Sequence, residues 1–339
     1  SNTATTMMML PIGLAVIGRL GSGSQTPFGR SLMLGIAYSA SIGGVATLIG
    51  TPPNAVLAGV VEKQLDMTIG FAQWMLFGLP LAVVMLVVAW WYLTHIAARL
   101  CGRPGDCGTE VIRGEIGQLG SMSSAERRVL AVFATVAVLW VFKGLLLPGL
   151  LGPISDSTIA MAGAIALFAI PADRDAKSGL LDWHSAVGIP WDILLLFGGG
   201  FALAHGFQQS GLTEWIGSQL EFLRQVHWFV LLAAVALVTI FLTEVTSNTA
   251  TASMLLPIVA GLAAGAGQDP LAPMVAAALA ASFAFMLPVA TPPNAIVFAS
   301  RQISIPEMAS AGIWMNLVGL ALIALFVSLV LPWVWGPRG

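Results

Sequence analysis

The chain has 339 residues, of which 57% are hydrophobic and 9% are charged, and its formal net charge is −2. Soluble domains carry about 25% charged residues, so this composition excludes a protein with a fully water-facing surface and indicates an integral membrane protein. The charge balance also provides no basic surface of the kind that nucleic acid requires, which excludes nucleic acid as a partner.

Apolar segments recur along the whole chain. Candidate membrane spans occupy residues 74–93, 129–151, 157–170, 193–204, 228–242 and 314–335. A helix that crosses the bilayer core needs about 20 apolar residues, a length that the first, second and last of these segments reach. The three shorter segments need flanking residues or cross only part of the bilayer. We therefore predict an all-α protein embedded in a lipid bilayer.

Basic residues concentrate in two polar stretches. Five arginines lie within residues 97–128, and Arg174 and Lys177 lie within residues 172–187. Because two apolar segments separate these stretches, both lie on the same side of the membrane, which the positive-inside rule identifies as the cytoplasm. We expect a multi-pass protein of the bacterial inner membrane, and the pattern places both loops in the cytoplasm.

Two short motifs occur twice. SNTAT fills residues 1–5 and 247–251, and TPPNA fills residues 51–55 and 291–295. The motifs follow in the same order, and they begin 50 residues apart in the first copy and 44 in the second. This repetition indicates an internal duplication. Duplicated halves are typical of secondary transporters, whose binding sites lie near the bilayer midplane where discontinuous helices meet.

The duplication predicts how the chain is organised. Residues 1–96 hold the C-terminal part of the first repeat, residues 97–128 form a cytoplasmic linker, and residues 129–339 form the second repeat. The corresponding fold class is an inverted-repeat transporter with broken helices. The chain begins with the first residue of the first SNTAT, where a free α-amino group near the bilayer midplane is costly. We therefore expect the sequence to be an N-terminally truncated fragment.

Both motifs are suited to starting helices inside the membrane. Ser, Asn and Thr side chains cap helix N-termini, and the apolar runs after the two SNTAT motifs end early, at 18–19 and within 261–269. Thr51 and Thr291 precede prolines, which fit the first helical position and keep the residue before them out of the α conformation. The runs after TPPN are also short. The sequence predicts four half-length helices that begin within the bilayer and are capped by these side chains.

These helix starts indicate coupled binding of an anion and a cation. Helix N-termini offer partial positive charge and free N–H donors to carboxylates, whereas backbone carbonyls and Asn and Ser oxygens suit Na⁺. The motifs contain no Arg, Lys, Asp or Glu, so a bound anion needs a co-bound cation for charge compensation. Glu244, three residues before the second SNTAT, is an acid within a helical bundle. It either orients the loop or attracts cations.

The doubled SNT and TPPN motifs, together with the stretch IPWDILLLFGGGFALAHGFQQSGLTEWIG at 189–217, resemble the divalent anion:sodium symporter family of di- and tricarboxylate transporters. The resemblance covers essentially the whole chain. It implies a scaffold domain and a transport domain with two re-entrant helical hairpins, and it places the SNT motifs at the hairpin tips. It further implies a homodimer in which the transport domain moves like an elevator.

The same resemblance implies the site residues. A first sodium site uses Ser1, Asn2 and the backbone near Gly50, and a second uses Thr243, Ser247, Asn248 and the backbone near Ala290. The substrate carboxylates contact residues of all four motifs, namely Asn2, Thr3, Thr51, Pro52, Asn248, Thr249, Thr291 and Pro292.

The resulting functional hypothesis is a Na⁺-coupled symporter for a dicarboxylate such as succinate, malate or fumarate, with Na⁺ as the coupling ion. A sodium-independent dicarboxylate exchanger, or a transporter of sulfate or citrate from a related family, is the alternative. An enzyme is not expected, because the chain has no HExxH or GxSxG motif. Gly198, Gly199 and Gly200 lack the context of a phosphate loop and are interpreted as packing glycines.

Overall fold

The computed structural model describes residues 2–19, 26–97, 117, 121–146, 154–172, 179–188, 191–212, 215 and 227–336. Within these ranges the chain is helical and forms no strand, apart from one isolated bridge between Pro171 and Gly179. The all-α prediction is therefore confirmed. The predicted sodium ligand Ser1 and most of the predicted linker 97–128 lie outside the described residues.

The helices, in chain order, are α1 Asn2–Arg19, α2 Pro27–Val45, α3 Pro52–Leu65, α4 Phe71–Trp91 with a π-helical extension Tyr92–Ala97, α5 Ser124–Leu146, α6 Asp156–Ala169, α7 Trp183–Ala186, α8 Trp191–Gln209, α9 Trp228–Thr243, α10 Asn248–Gly265, α11 Leu271–Ala280, α12 Pro292–Ala299, α13 Ile305–Leu329 and α14 Leu331–Trp335.

Three helical segments of the described chain are long and apolar enough to cross a membrane: Phe71–Ala97, Asn248–Gly265 and Ile305–Trp335. The first and last contain the predicted spans 74–93 and 314–335. The second is α10, whose 18 residues exceed the half-length helix predicted there. The helix ends at Gly265, inside the predicted stretch 261–269, but the 18 residues from Asn248 are already long and apolar enough to cross a membrane, so the predicted half length was wrong.

Two compact units make up the chain. The smaller comprises Gly70–Gln73 and Arg113–Asp192, and within it α5 packs against α6. The indole of Trp140 donates to the Asp156 carbonyl over 2.9 Å, and the Asp156 carboxylate accepts from the Phe71 amide over 3.1 Å. Asp156, at the start of α6, is therefore hydrogen-bonded both to α5, through Trp140, and to the segment around Phe71.

The larger unit comprises Ser1–Ile69, Trp74–Ile112 and Ile193–Gly339, and it contains all four motifs. In it, α1 packs against α12, and α10 packs against α3. Each helix that follows an SNTAT motif thus contacts the helix that follows the TPPNA motif of the other copy. This exchange is what brings the four helix starts into one structural unit.

The centre of the larger unit is α11, all ten residues of which are buried. Five of these residues are alanine, and such small side chains allow neighbouring helices to approach closely. The helices α3, α9, α10 and α13 pack against it. Since α11 leads directly into residues 281–291, which end at the first residue of the second TPPNA, this fully buried helix supports the segment before that motif.

Two interruptions separate α2 from α3 and α11 from α12. The first break is defined here as residues 46–51 and the second as residues 281–291. Thr51 and Thr291, the last residues of the breaks, are extended, with φ of −138° and −140°. This conformation follows from the prolines after them, so the predicted helix ends at the threonines are confirmed. The helix α12 has the predicted half length with 8 residues, whereas α3 continues to Leu65 and has 14.

Candidate functional site

The asparagine of each TPPNA motif closes its own break. The side-chain amide of Asn54 donates to the Thr47 carbonyl over 3.0 Å, and that of Asn294 donates to the Leu287 carbonyl, also over 3.0 Å. In both cases the acceptor lies seven residues upstream. The repeated sequence therefore produces a repeated hydrogen bond. Asn54 and Asn294 are absent from the predicted site residues. Their repetition in the doubled motif was the sequence signal that could have identified them.

Capping differs between the two TPPNA helices. The hydroxyl of Thr291 accepts from the Asn294 amide over 3.2 Å, as predicted. Thr51 makes no such cap. Its hydroxyl instead lies 3.3 Å from that of Ser282, at the start of the second break. The prediction for Thr51 was wrong because this hydroxyl bonds to a residue of the other repeat, and the contact joins the two breaks.

The best defined part of the predicted sodium sites lies around the turn between α9 and the second SNTAT. The hydroxyl of Thr243, the last residue of α9, lies 2.7 Å from Asn248 Oδ1 and 3.1 Å from the Ala281 carbonyl. It therefore connects the end of α9, the start of α10 and the second break. Among the predicted site residues that the structure describes, Thr243 and Asn248 are the pair whose side chains form a direct hydrogen bond.

Ser247 and Ala290 complete the residues predicted for the second sodium site. Ser247 occupies the N-cap position of α10, but its side chain makes no capping hydrogen bond. The predicted serine cap is therefore wrong, and Asn248 is engaged by Thr243 across the turn instead. Ala290 is buried in the second break, where its amide donates to the Leu287 carbonyl over 3.2 Å.

In the first SNTAT, Asn2 is the first residue of α1, and its carbonyl accepts from the Thr6 hydroxyl over 2.9 Å. The Asn2 side chain packs against Gly44 of α2, where a Cβ would overlap the carboxamide. A Cβ on Gly50 would in turn meet the Gly44 carbonyl. Both predicted ligands of the first sodium site that the structure describes, Asn2 and Gly50, are thus neighbours of Gly44.

The predicted substrate contacts all stand at helix starts. Asn2 and Thr3 begin α1, Asn248 and Thr249 begin α10, and the pairs Thr51–Pro52 and Thr291–Pro292 introduce α3 and α12. The packing of α1 on α12 and of α10 on α3 brings these helices together in pairs. At the starts of α1 and α10, free backbone N–H groups are the donors that a carboxylate needs. The TPPN starts begin with prolines, which have no N–H.

Glu244 is buried next to the second SNTAT, with 3% of its surface exposed. Its carboxylate accepts from the backbone amides of Phe285 and Met286 over 2.8 and 2.9 Å and from that of Leu287 over 3.0 Å. The carboxylate therefore orients the backbone of the second break, which is one of the two roles predicted for it. In the part of the chain that the structure describes, no group of three or more His, Cys, Asp or Glu residues could hold a metal ion.

The three glycines of α8 do not behave alike. A Cβ on Gly200 would stand 2.6 Å from the Ser253 Cβ of α10, whereas Cβ atoms on Gly198 and Gly199 would meet nothing within 4 Å in the part of the chain that the structure describes. Close packing is confirmed for Gly200 and wrong for the other two, because only Gly200 faces α10. The next residue, Phe201, lies beneath the Lys63 ammonium, 4.2 Å from the ring centre.

An all-helical membrane unit with two broken helices, in which four helices with polar starts pack in two pairs, defines a class of protein, the secondary transporters. Residues 1–336 match the family described as sodium:sulfate symporter transmembrane region, and the chain belongs to this family. Membership confirms the predicted family and confirms that the protein is a transporter rather than an enzyme.

Two relatives are described as sodium-dependent dicarboxylate transporter SdcS, one from Staphylococcus saprophyticus subsp. saprophyticus and one from Staphylococcus aureus. They are 43% identical to this chain over 347 and 349 residues. Each alignment covers 99% of the chain and 67% of the relative. The prediction made from the doubled motifs agrees with these descriptions.

Proposed function

We propose that the protein is a secondary transporter that carries a C4 dicarboxylate, such as succinate, malate or fumarate, across the membrane together with Na⁺. The observation that carries the proposal is the exchange of partners in the larger unit, where α1 packs on α12 and α10 on α3. Four uncharged helix starts thereby belong to one unit. Two relatives with sodium and dicarboxylate in their descriptions support the same pair of ligands.

The coupling ion binds to oxygen atoms of the SNT turns and the breaks. The first site comprises Ser1, Asn2 and the backbone near Gly50. The second site comprises the side-chain oxygens of Thr243, Ser247 and Asn248 and the backbone near Ala290. Such neutral oxygens suit a hard cation. The bond between Thr243 and Asn248 supports the second site, because it already holds two of its ligands together.

The substrate binds between the four helix starts. Its carboxylates contact Asn2, Thr3, Thr51, Pro52, Asn248, Thr249, Thr291 and Pro292. The asparagines and threonines donate hydrogen bonds to them, whereas Pro52 and Pro292, which have no N–H, make only van der Waals contacts. No basic side chain belongs to these motifs, so the positive charge of bound Na⁺ compensates the dianion. Substrate and cation therefore bind cooperatively, which is the physical basis of coupled transport.

The proposed architecture is a pair of inverted repeats in a homodimer that works as an elevator in the bacterial inner membrane, with loops 97–128 and 172–187 in the cytoplasm. The contact of α9 with α10 across the short turn 244–247 supports a re-entrant hairpin with SNT at its tip. The shared asparagine-to-carbonyl bond in the two breaks supports a structural duplication.

Uptake of labelled succinate by proteoliposomes that contain the full-length protein tests the function. An inward Na⁺ gradient should drive accumulation, and replacing Na⁺ by choline should abolish it. Uptake that is independent of Na⁺ but requires internal succinate would identify an exchanger and overturn the symport proposal.

Sulfate is a second candidate substrate, because the family is described by sodium:sulfate symport. The two anions differ in the separation of their charges, so one site does not bind both equally well. Labelled sulfate in the same vesicles distinguishes them. Na⁺-driven sulfate uptake that succinate does not inhibit would replace the dicarboxylate by sulfate in the proposal.

A further inference from the structure

The backbone of the second break is held by side chains from three different parts of the larger unit. Phe285 is the centre of these contacts. Its amide donates to Glu244 over 2.8 Å and to the Asn316 side-chain oxygen over 3.2 Å, and its carbonyl accepts from the Tyr38 hydroxyl over 3.0 Å. Glu244 follows α9, Asn316 belongs to α13 and Tyr38 belongs to α2. Both polar groups of one residue are therefore fixed by tertiary contacts.

Asn316 connects the other members of this network. Its side-chain nitrogen donates to the Glu244 carboxylate over 2.7 Å, while its oxygen accepts from the Phe285 amide. The side chain is 1% exposed and lies in a helix that is otherwise strongly apolar. The Asn316 side chain is thus the fourth donor to the buried Glu244 carboxylate, after the three backbone amides. At the same time its oxygen accepts the hydrogen bond of the Phe285 amide.

Tyr38 reaches the same residue from the first repeat. Its side chain is completely buried, and its ring packs edge-on against that of Phe285 with the centres 5.0 Å apart. The hydroxyl is therefore delivered to the Phe285 carbonyl by a fixed ring. A helix of the first repeat positions a break of the second.

The first break has no corresponding network among the described residues. Just before it, the Trp74 indole donates to the Val45 carbonyl at the end of α2 over 3.0 Å, and within it the Thr47 carbonyl accepts from the Asn54 side chain over 3.0 Å. These contacts are between neutral groups, whereas the second break is bonded to a carboxylate. Hydrogen bonds to charged groups stabilise a structure more than neutral ones do, so the second break is the more rigidly held of the two.

We propose that Glu244, Asn316 and Tyr38 form a clamp that positions the second break for ligand binding. The clamp fixes residues 285–287, and the chain then reaches Ala290 and Thr291 within four residues. Asn294 ties the same segment to α12 through the Leu287 carbonyl. The clamp residues are positioning residues, since they act through the backbone and not on the substrate. This inference rests on the proposed function for the identity of the ligands.

The experiment combines hydrogen exchange with transport. Peptides covering residues 283–290 are followed by mass spectrometry in the purified full-length protein, for wild type, Asn316→Ala and Tyr38→Phe. Both variants should exchange faster in this segment, while peptides from α5 keep their rates. In proteoliposomes, Asn316→Ala should raise the half-saturating Na⁺ concentration about tenfold, which is ~1.4 kcal/mol, with the maximal rate of succinate uptake largely kept.

Matched controls are available in the same elements. Ser310→Ala removes a hydroxyl of α13 that donates to the Glu307 carbonyl, and Tyr92→Phe removes the second tyrosine hydroxyl of the chain. Both should match wild type in exchange and in Na⁺ dependence. The Tyr38→Phe variant retains the buried ring, so it tests the clamp if Asn316→Ala fails to fold.

Unchanged exchange at 283–290 in Asn316→Ala and Tyr38→Phe would overturn the clamp. Faster exchange with unaltered half-saturation by Na⁺ would show that the break is held but does not position the site, and would overturn the positioning role. Absence of Na⁺-driven uptake in wild type would instead refute the proposed function, and the exchange measurement would still decide whether the clamp exists.

Discussion

The hydroxyl of Thr51 lies 3.3 Å from the hydroxyl of Ser282, and this contact joins the last residue of the first break to the start of the second. Both side chains are buried, with 2% and 1% of their surface exposed. Two residues separated by 231 positions in the sequence thus place the two interrupted helices of the larger unit against each other. The relationship explains why Thr51, unlike Thr291, does not cap its own helix.

We predict that Thr51 and Ser282 are energetically coupled. Thr51→Val and Ser282→Ala should each lower the free energy of unfolding, and the double variant should lose less than the sum, by about 0.5–1.5 kcal/mol for one hydrogen bond. Thermal unfolding in detergent measures the cycle. Additive losses would contradict the contact. Thr291→Val combined with Ser282→Ala serves as the control and should be additive, because Thr291 caps α12 instead.

The second prediction concerns Thr243, whose hydroxyl bonds to Asn248. In Thr243→Val the shape is kept but the hydroxyl is lost, so the half-saturating Na⁺ concentration for succinate uptake should rise about tenfold, equivalent to ~1.4 kcal/mol. Thr243→Ser keeps the hydroxyl and should remain within about threefold of wild type, a difference of well under 1 kcal/mol. Equal behaviour of the valine and serine variants would exclude the hydroxyl from the sodium site.

The breaks were predictable from sequence because proline acts locally. A Thr-Pro-Pro-Asn segment restricts the backbone of its own threonine, and the extended conformations of Thr51 and Thr291 follow without any tertiary contact. The doubled motif predicted that related helix starts belong together, and all four lie in the larger unit. Backbone conformations that depend on the adjacent residue in the chain could therefore be predicted from the sequence.

The partners of the polar side chains were not predictable, since they come from distant parts of the chain. Thr51 satisfies its hydroxyl with Ser282 rather than with its own helix. Asn316 is a single amide within an apolar span, and the carboxylate that it bonds lies 72 residues away. Its presence in such a span is the one signal that sequence reasoning had available, because an amide buried there requires a partner.

A third prediction compares the asparagines that close the breaks. Asn294 donates to the carbonyls of Ala284 and Leu287, whereas Asn54 donates to that of Thr47. Removing a partner from a buried polar group costs about 1–3 kcal/mol. Asn294→Ala should therefore lower the free energy of unfolding more than Asn54→Ala does. Thermal unfolding of the two variants provides the comparison, and a larger loss for Asn54→Ala would contradict the bonding assigned to the breaks.

The fourth prediction uses the neighbouring glycines of α8. In Gly200→Ala the new Cβ would stand 2.6 Å from the Ser253 Cβ, so α8 and α10 must move apart and the melting temperature should fall. Gly199→Ala meets nothing within 4 Å, and replacing a helical glycine there should stabilise the helix by about 0.5–1 kcal/mol.

Ser253→Gly provides the matched compensation, because it removes the side chain that a Cβ on Gly200 would strike. The double variant Gly200→Ala with Ser253→Gly should recover most of the melting temperature lost in Gly200→Ala, apart from the cost of about 1 kcal/mol for a glycine within α10. A double variant that melts below Gly200→Ala would show that the glycine is required for a reason other than its contact with Ser253. Recovery would establish that the loss in Gly200→Ala comes from its contact with Ser253 of α10.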